Sequence, residues 1–447
     1  MEVPRIPFES VAALAAAATP TLLEGLPWPN AAAFSWAPTT LSQRLTPALS
    51  PVRILHGPRR LFWNPEDKLS YNARFCQNAS REGFDWHGAQ SSSLAIDAEA
   101  FFAPDSDRIH FFTTNLLDGQ GQPHPDIGRF DALAEIASGD EPPMLKAWMG
   151  TAGAVTPLHL DASHNFYAQL HGEKTFLLYP PSAAHEALYM HPRLHPLCHI
   201  DEEQLPRAAT PAEAVDRGAL YPPLDAGAGP QGRLVRLRAG DVMYLPPYWG
   251  HHAHCERSCI AANLWLPSQP GAATDAIGAL PIPFEGDWDA PLRRAAVLLF
   301  LRELLTALVA SPPMPSPPAQ PAQPAQPAQP AQLGAAGAAS GLVALLLESR
   351  WRRGEMLGDA DGTPCEPPAA LAALRGKFGS YAATRASHLR AVDEPVRSIL
   401  VHDQLELIAH WADGVASCTH ALLRSLLECV RADEREAAAG ATIKAEL

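Results

Sequence analysis

His159 and Asp161 stand two positions apart in Thr156-Pro-Leu-His-Leu-Asp161. Residues i and i+2 of a β-strand point to the same side, so this imidazole and carboxylate can face one metal ion together. A third donor lies downstream in Pro246-Pro-Tyr-Trp-Gly-His251. Two His and one carboxylate on one side of a metal leave the opposite positions open, which is the donor set of non-haem ferrous oxygenation. Thiolates in their place would favour a softer metal or a closed structural site.

The triplet alone is a weak signal, because His-x-acid recurs at His171/Glu173 and His199/Asp201. The pair at 171/173 reads as a hairpin turn, with Gly172 between two apolar runs. The pair at 199/201 lies in a Pro-interrupted stretch without alternation and reads as a loop. Three further His crowd the candidate ligands. Alternation puts His252 and His254 on the face opposite His251; His252 is the alternative ligand if the register slips by one, and His164 is the third. Cys255 and Cys259 beside these His suggest zinc, but no second Cys pair completes such a site.

The elements around the pair predict how it is positioned. Asn165-Phe-Tyr-Ala-Gln-Leu-His171 alternates like a strand, with Asn165, Tyr167 and Gln169 on one face. Lys174-Thr-Phe-Leu-Leu-Tyr179 reads as the returning strand, stopped by Pro180-Pro181. A Lys facing inward there requires an anion; on a solvated edge it requires nothing.

These pieces together resemble the JmjC and cupin-like Fe(II)/2-oxoglutarate oxygenases, most of all their protein-hydroxylase branch of the asparaginyl-hydroxylase type. The resemblance rests on Gly150-x-x-Gly153, Thr156-Pro-Leu-His-Leu-Asp161, Asn165-Phe, Gln169, Gly172-x-Lys174 and Tyr179-Pro-Pro. It continues through Gly240-Asp-Val-Met-Tyr-Leu-Pro246, Tyr248-Trp-Gly-His251 and Asn263-Leu-Trp265. Ordered motifs of this number are far more specific than any one of them. The dense match covers roughly residues 140–268, and a looser one reaches Pro20-Thr-Leu-Leu-Glu.

The resemblance implies a function and a site. His159, Asp161 and His251 would bind Fe(II). Lys174 would hold the distal carboxylate of 2-oxoglutarate and Thr156 would donate a hydroxyl to it, with Asn165 and Asn263 flanking the cosubstrate. His110 aligns loosely with a position where relatives carry a Tyr that contacts the same carboxylate. The implied reaction consumes O2 and 2-oxoglutarate, releases succinate and CO2, and hydroxylates a protein or peptide side chain. Histone lysine demethylation, tRNA hydroxylation and a catalytically silent JmjC scaffold are the other readings. The implied fold is a mainly β core, a double-stranded β-helix of the jelly-roll or cupin type, with α-helices at both ends of the chain.

The composition bounds the rest. The chain has 447 residues and a formal charge of −14, which argues against gripping nucleic acid by bulk electrostatics. Seven scattered Cys suit a reducing compartment, so the cytoplasm or nucleus is expected. No apolar run is long enough for a membrane span. The short run from Val11 has acidic flanks and reads as a first helix rather than a signal peptide.

Five segments are expected: an N-terminal α/β flank (1–89), the β-helix core (90–268), a helical segment (269–310), a Pro/Ala/Gln-rich linker (311–341) and a C-terminal helical region (342–447). The linker's Pro spacing favours extended chain. The apolar helix over 290–309 extends beyond one stripe and must be buried widely. By the resemblance, it and the helix after the linker would pair across a homodimer; packing within one chain is the alternative. Glu394-Pro395 reads as a helix start.

Overall fold

The computed structural model describes residues 3–8, 14, 18–26, 28, 30–46, 48–55, 91–103, 109–138, 141–182, 233–284, 287–310, 338–350, 362–413 and 416–446. The His199/Asp201 pair, the 311–337 part of the linker and nearly all of the run from Val11 lie outside them. The chain divides into two units, a β unit and a helical one.

Among the described residues the β unit contains thirteen strands: β1 (Arg5–Pro7), β2 (Thr21–Glu24), β3 (Ala48–Leu55), β4 (Ser91–Asp97), β5 (Ile109–Asn115), β6 (Met144–Gly150), β7 (Val155–Leu160), β8 (His164–His171), β9 (Glu173–Tyr179), β10 (Arg233–Arg238), β11 (Val242–Leu245), β12 (Gly250–Cys255) and β13 (Cys259–Leu266). They form a nine-stranded sheet in the order β1-β2-β11-β8-β13-β6-β5-β3-β4 and a four-stranded sheet in the order β10-β9-β12-β7. Consecutive strands β8 and β9 lie in different sheets, and so do β12 and β13. That back-and-forth winding is the jelly-roll core the sequence implied. The larger sheet begins earlier than expected: β1 pairs with β2, and β2 with β11, so the N-terminal segment supplies strands of the sheet itself.

Alternation sorts the side chains. Tyr167, Phe176, Leu178, Val235, Leu237, Met243, Leu245, Trp249, Ala253 and Ala261 fill the space between the sheets. The other face of the large sheet, with Phe112, Met149, Phe166 and Tyr244, packs on Trp28, Trp36, Leu49 and Phe101. Burial on both faces explains why β13 reads as a nearly continuous apolar run. The turn joining β8 to β9 requires glycine. Gly172 has φ +74°, and a Cβ there would meet the carbonyl oxygen of Ser258 at 2.0 Å.

The helical unit includes α2 (Ala290–Val309), α3 (Ala338–Arg350), α4 (Arg375–Arg390), α5 (Val396–Asp413) and α6 (Ala416–Glu446), which follow α1 (Gln269–Ala279) in the chain. Asp289 caps α2 by accepting from Leu292 N at 2.9 Å, as its position before Ala290-Pro291 favours. Nine apolar residues of α2 from Ala295 to Leu305 are buried, against α4, α5, α6 and α3. The girth expected to pair across a dimer is therefore covered within the chain. Arg385 of α4, 2% exposed, donates to the carbonyls of Ile277 and Leu280 and to Gln404 Oε1, and burial lowers its pKa. Cys365 bonds to Cys429 here, and Cys255 to Cys259 in the β unit. The scattered cysteine spacing pointed to no such pairs.

Candidate metal centre

His159, Asp161 and His251 converge. Their ligand atoms all lie within 4.8 Å of one another. His159 Nε2 is 3.8 Å from Asp161 Oδ1 and His251 Nε2 is 3.6 Å from Asp161 Oδ2. Bonds of about 2.1 Å place adjacent ligands about 3 Å apart at right angles, so the two His–Asp separations lie within about an ångström of the spacing one ion needs. His251 Nδ1 meets the carbonyl of Trp249 at 3.0 Å, which directs the Nε2 lone pair to the shared centre. No other such cluster of His, Cys, Asp and Glu occurs among the described residues.

Strand pairing produces this convergence. His159 and His251 are cross-strand partners on β7 and β12, and their rings lie 4.0 Å apart. Asp161 follows the end of β7, where its carbonyl accepts from Tyr248 N at 2.7 Å. Tyr248 has φ +61°, a left-handed conformation rarely adopted by aromatic residues and concentrated at functional sites. Its hydroxyl is 2.6 Å from Thr274 Oγ1.

Thr156 lies three residues before His159, and in a regular strand the two would face opposite ways. A bulge corrects this. Thr156 pairs with Ala253 while His159 pairs with His251, so β7 has one residue more than β12 between the two pairs. Ala253 belongs to the interior cluster, which puts Thr156 on the ligand face.

The interior polar groups form two chains of contacts. Trp148 Nε1 donates to Asn263 Oδ1 at 2.6 Å, and Asn263 Nδ2 donates to Asn165 Oδ1 at 3.1 Å. Lys174 is 4% exposed; its Nζ donates to the Tyr167 hydroxyl at 2.7 Å and lies 5.2 Å from that ring's centroid. Burial raises the Tyr167 pKa, so the phenol stays neutral. Lys174 therefore faces inward and not along a solvated edge. Tyr167 and Trp265 were missed as site residues. Alternation had already put Tyr167 on the Asn165 face, and Trp265 ends the Asn263-Leu-Trp265 motif.

His110 is not brought to this site. Its Nδ1 meets the carbonyl of Phe101 at 2.8 Å and its ring packs on Phe101, on the face of β5 opposite Phe111, which packs on Trp148. The loose alignment was wrong by at least one strand position, and one position flips a side chain to the other face. The other His are also accounted for. His164 Nδ1 is 2.9 Å from the Tyr244 hydroxyl, and burial lowers its pKa to about 4. His252 and His254 are half-buried, and His254 pairs with Glu256. Cys255 and Cys259 bond to each other, so the zinc reading has no thiolates.

Comparison with known proteins agrees with the geometry. Residues 120–272 match the model of the cupin-like domain. The chain is 33% identical over 162 residues to the human bifunctional peptidase and (3S)-lysyl hydroxylase JMJD7, covering 34% of this chain and 50% of that protein. It is 33% identical over 159 residues to the Arabidopsis thaliana lysine-specific demethylase JMJ32, covering 30% and 45%. It is 32% identical over 124 residues to the Drosophila melanogaster Jumonji C domain-containing protein 5, covering 27% of each. The matches thus span half or less of these relatives' length. With the jelly-roll winding and the converging triad, residues 120–272 form a cupin-like domain, similar to proteins of the JmjC group.

Proposed function

We propose that this chain is an Fe(II)- and 2-oxoglutarate-dependent oxygenase that hydroxylates a side chain of a protein or peptide, releasing succinate and CO2. The observation that carries the reading is the convergence of His159, Asp161 and His251 in a barrel that also buries Lys174. When bound, Fe(II) would supply the activation of dioxygen that side chains cannot.

The residues divide the remaining work. The two imidazoles and the carboxylate would hold the ion and leave a net positive charge to receive an anion. Lys174 pairs with Cys255 on β12, four residues from His251, or about 13 Å of strand. A carboxylate at each end of an elongated ligand, as in 2-oxoglutarate, would complement both the metal and the ammonium. Thr156 faces the same interior and offers a hydroxyl. The dry walls formed by Phe176, Leu178 and Ala253 strengthen these charge-assisted bonds.

Incubating the protein with Fe(II), 2-oxoglutarate and cell-lysate proteins should yield succinate, and mass spectrometry should find a product one oxygen heavier. Failure to turn over 2-oxoglutarate with any peptide or RNA pool would sink the proposal. Lysine demethylation is the second reading, favoured by the name of JMJ32. It predicts formaldehyde release from methyl-lysine peptides and no stable oxygenated product.

A further inference from the structure

The triad leaves one matter undecided. Asp161 presents Oδ1 to His159 and Oδ2 to His251 at nearly equal distances, 3.8 and 3.6 Å. Nothing in those three residues selects which oxygen a metal would take, or prevents it from taking both. A carboxylate bound through both oxygens occupies one more coordination position. The ion would then lack the room that a chelating cosubstrate and dioxygen together require.

A neighbour makes the selection. Trp265 Nε1 donates to Asp161 Oδ2 at 3.2 Å. The indole is itself held from two sides: Trp148 packs edge-on at 5.6 Å and 85°, and Lys146 Nζ lies 5.6 Å from its ring centroid. Trp265 sits on β13, paired with Asn165 on β8 and Met144 on β6. It therefore reaches Asp161 from the large sheet, while both imidazoles come from the small one. A hydrogen bond to one carboxylate oxygen lowers that oxygen's capacity as a donor and fixes the plane of the group.

We infer that Trp265 is a positioning residue whose N–H reserves Oδ2 of Asp161, so that the carboxylate gives a metal Oδ1 alone and three coordination positions stay open. The inference rests on the metal reading proposed above. It extends that reading to a residue outside the triad.

The test compares wild type with Trp265→Phe, which keeps an aromatic edge against Trp148 and removes the N–H. Co(II) is the metal probe, followed by titration and by its visible absorption, and 2-oxoglutarate is then titrated into the Co(II)-loaded protein. The variant should bind Co(II) with an affinity changed about 10- to 100-fold, show an altered visible band and take up 2-oxoglutarate more weakly, with its melting midpoint near that of wild type. A variant that matches wild type in all three readings overturns the inference.

Should the variant fail to fold, wild-type protein labelled with ¹⁵N-tryptophan gives a second measurement. The Trp265 indole resonance should exchange slowly and shift when Zn(II) is added; rapid exchange without a shift overturns the inference. A wild type that takes up no Co(II) overturns the oxygenase proposal and this inference with it. A competent wild type beside an unaffected Trp265→Phe overturns the inference alone.

Discussion

The ammonium of Lys174 on β9 donates to the phenol oxygen of Tyr167 on β8 across 2.7 Å, one residue from each sheet meeting in the barrel interior. A buried ammonium needs a hydrogen-bonding partner. The neutral phenol stabilises the charge without cancelling it. Lys174→Met keeps the apolar stem and removes the charge. It should weaken 2-oxoglutarate binding by the loss of a charge-assisted bond, roughly 1.5–3 kcal/mol, or about 10- to 150-fold. Calorimetry with a redox-silent metal measures this without turnover. Equal affinity in the variant would show that Lys174 does not receive the cosubstrate.

Removing a member of the triad has a different signature. His159→Ala and Asp161→Ala each take away one of three converging donors. Both should abolish succinate formation and depress metal uptake, while the melting midpoint of the metal-free protein changes little, since Asp161 is half-buried at the end of β7. His252→Ala should leave metal uptake intact. Loss of metal uptake in His252→Ala would instead move the third ligand by one register step.

Gly172 tests the turn that joins the sheets. Its φ of +74° and the 2.0 Å approach of Ser258 O leave an alanine methyl no room. Gly172→Ala should lower unfolding free energy by about 1–3 kcal/mol for the strained backbone, plus whatever the displaced loop adds. A chemical-denaturation midpoint equal to wild type would refute the close approach.

His164 sets an acid limit on stability. Its pKa falls from 6.5 to about 4 because burial disfavours the charged ring. Between those values the unfolded chain binds a proton that the folded one refuses, so stability is lost as pH falls from about 6.5 to about 4 and is steady above that window. The loss amounts to roughly 3 kcal/mol at most. Denaturation of His164→Gln at pH 7.5 and pH 5 should show a smaller difference than wild type. An unchanged difference would assign the acid sensitivity elsewhere.

Much of this was legible in the residues because strand chemistry is local. Alternation put Asn165, Tyr167 and Gln169 on one face of β8, and that face is the interior one. Alternation put His252 and His254 on the face opposite His251, and the family resemblance chose between the two faces. The helix over Ala290–Val309 was readable from its length, its cap and an apolar girth that had to be covered.

The order and type of the candidate ligands and the turn at Gly172 were thus legible from near neighbours in the chain, and the jelly-roll class from the family resemblance. Whether Lys174 faced inward, whether Thr156 could share a face with His159 despite the wrong parity, and that His110 turned away were decided only by pairing between distant strands. The bulge in β7 and the bond from Trp265 to Asp161 join residues that no local rule connects. Register is a property of two strands together, and one strand's sequence fixes alternation but not its partner.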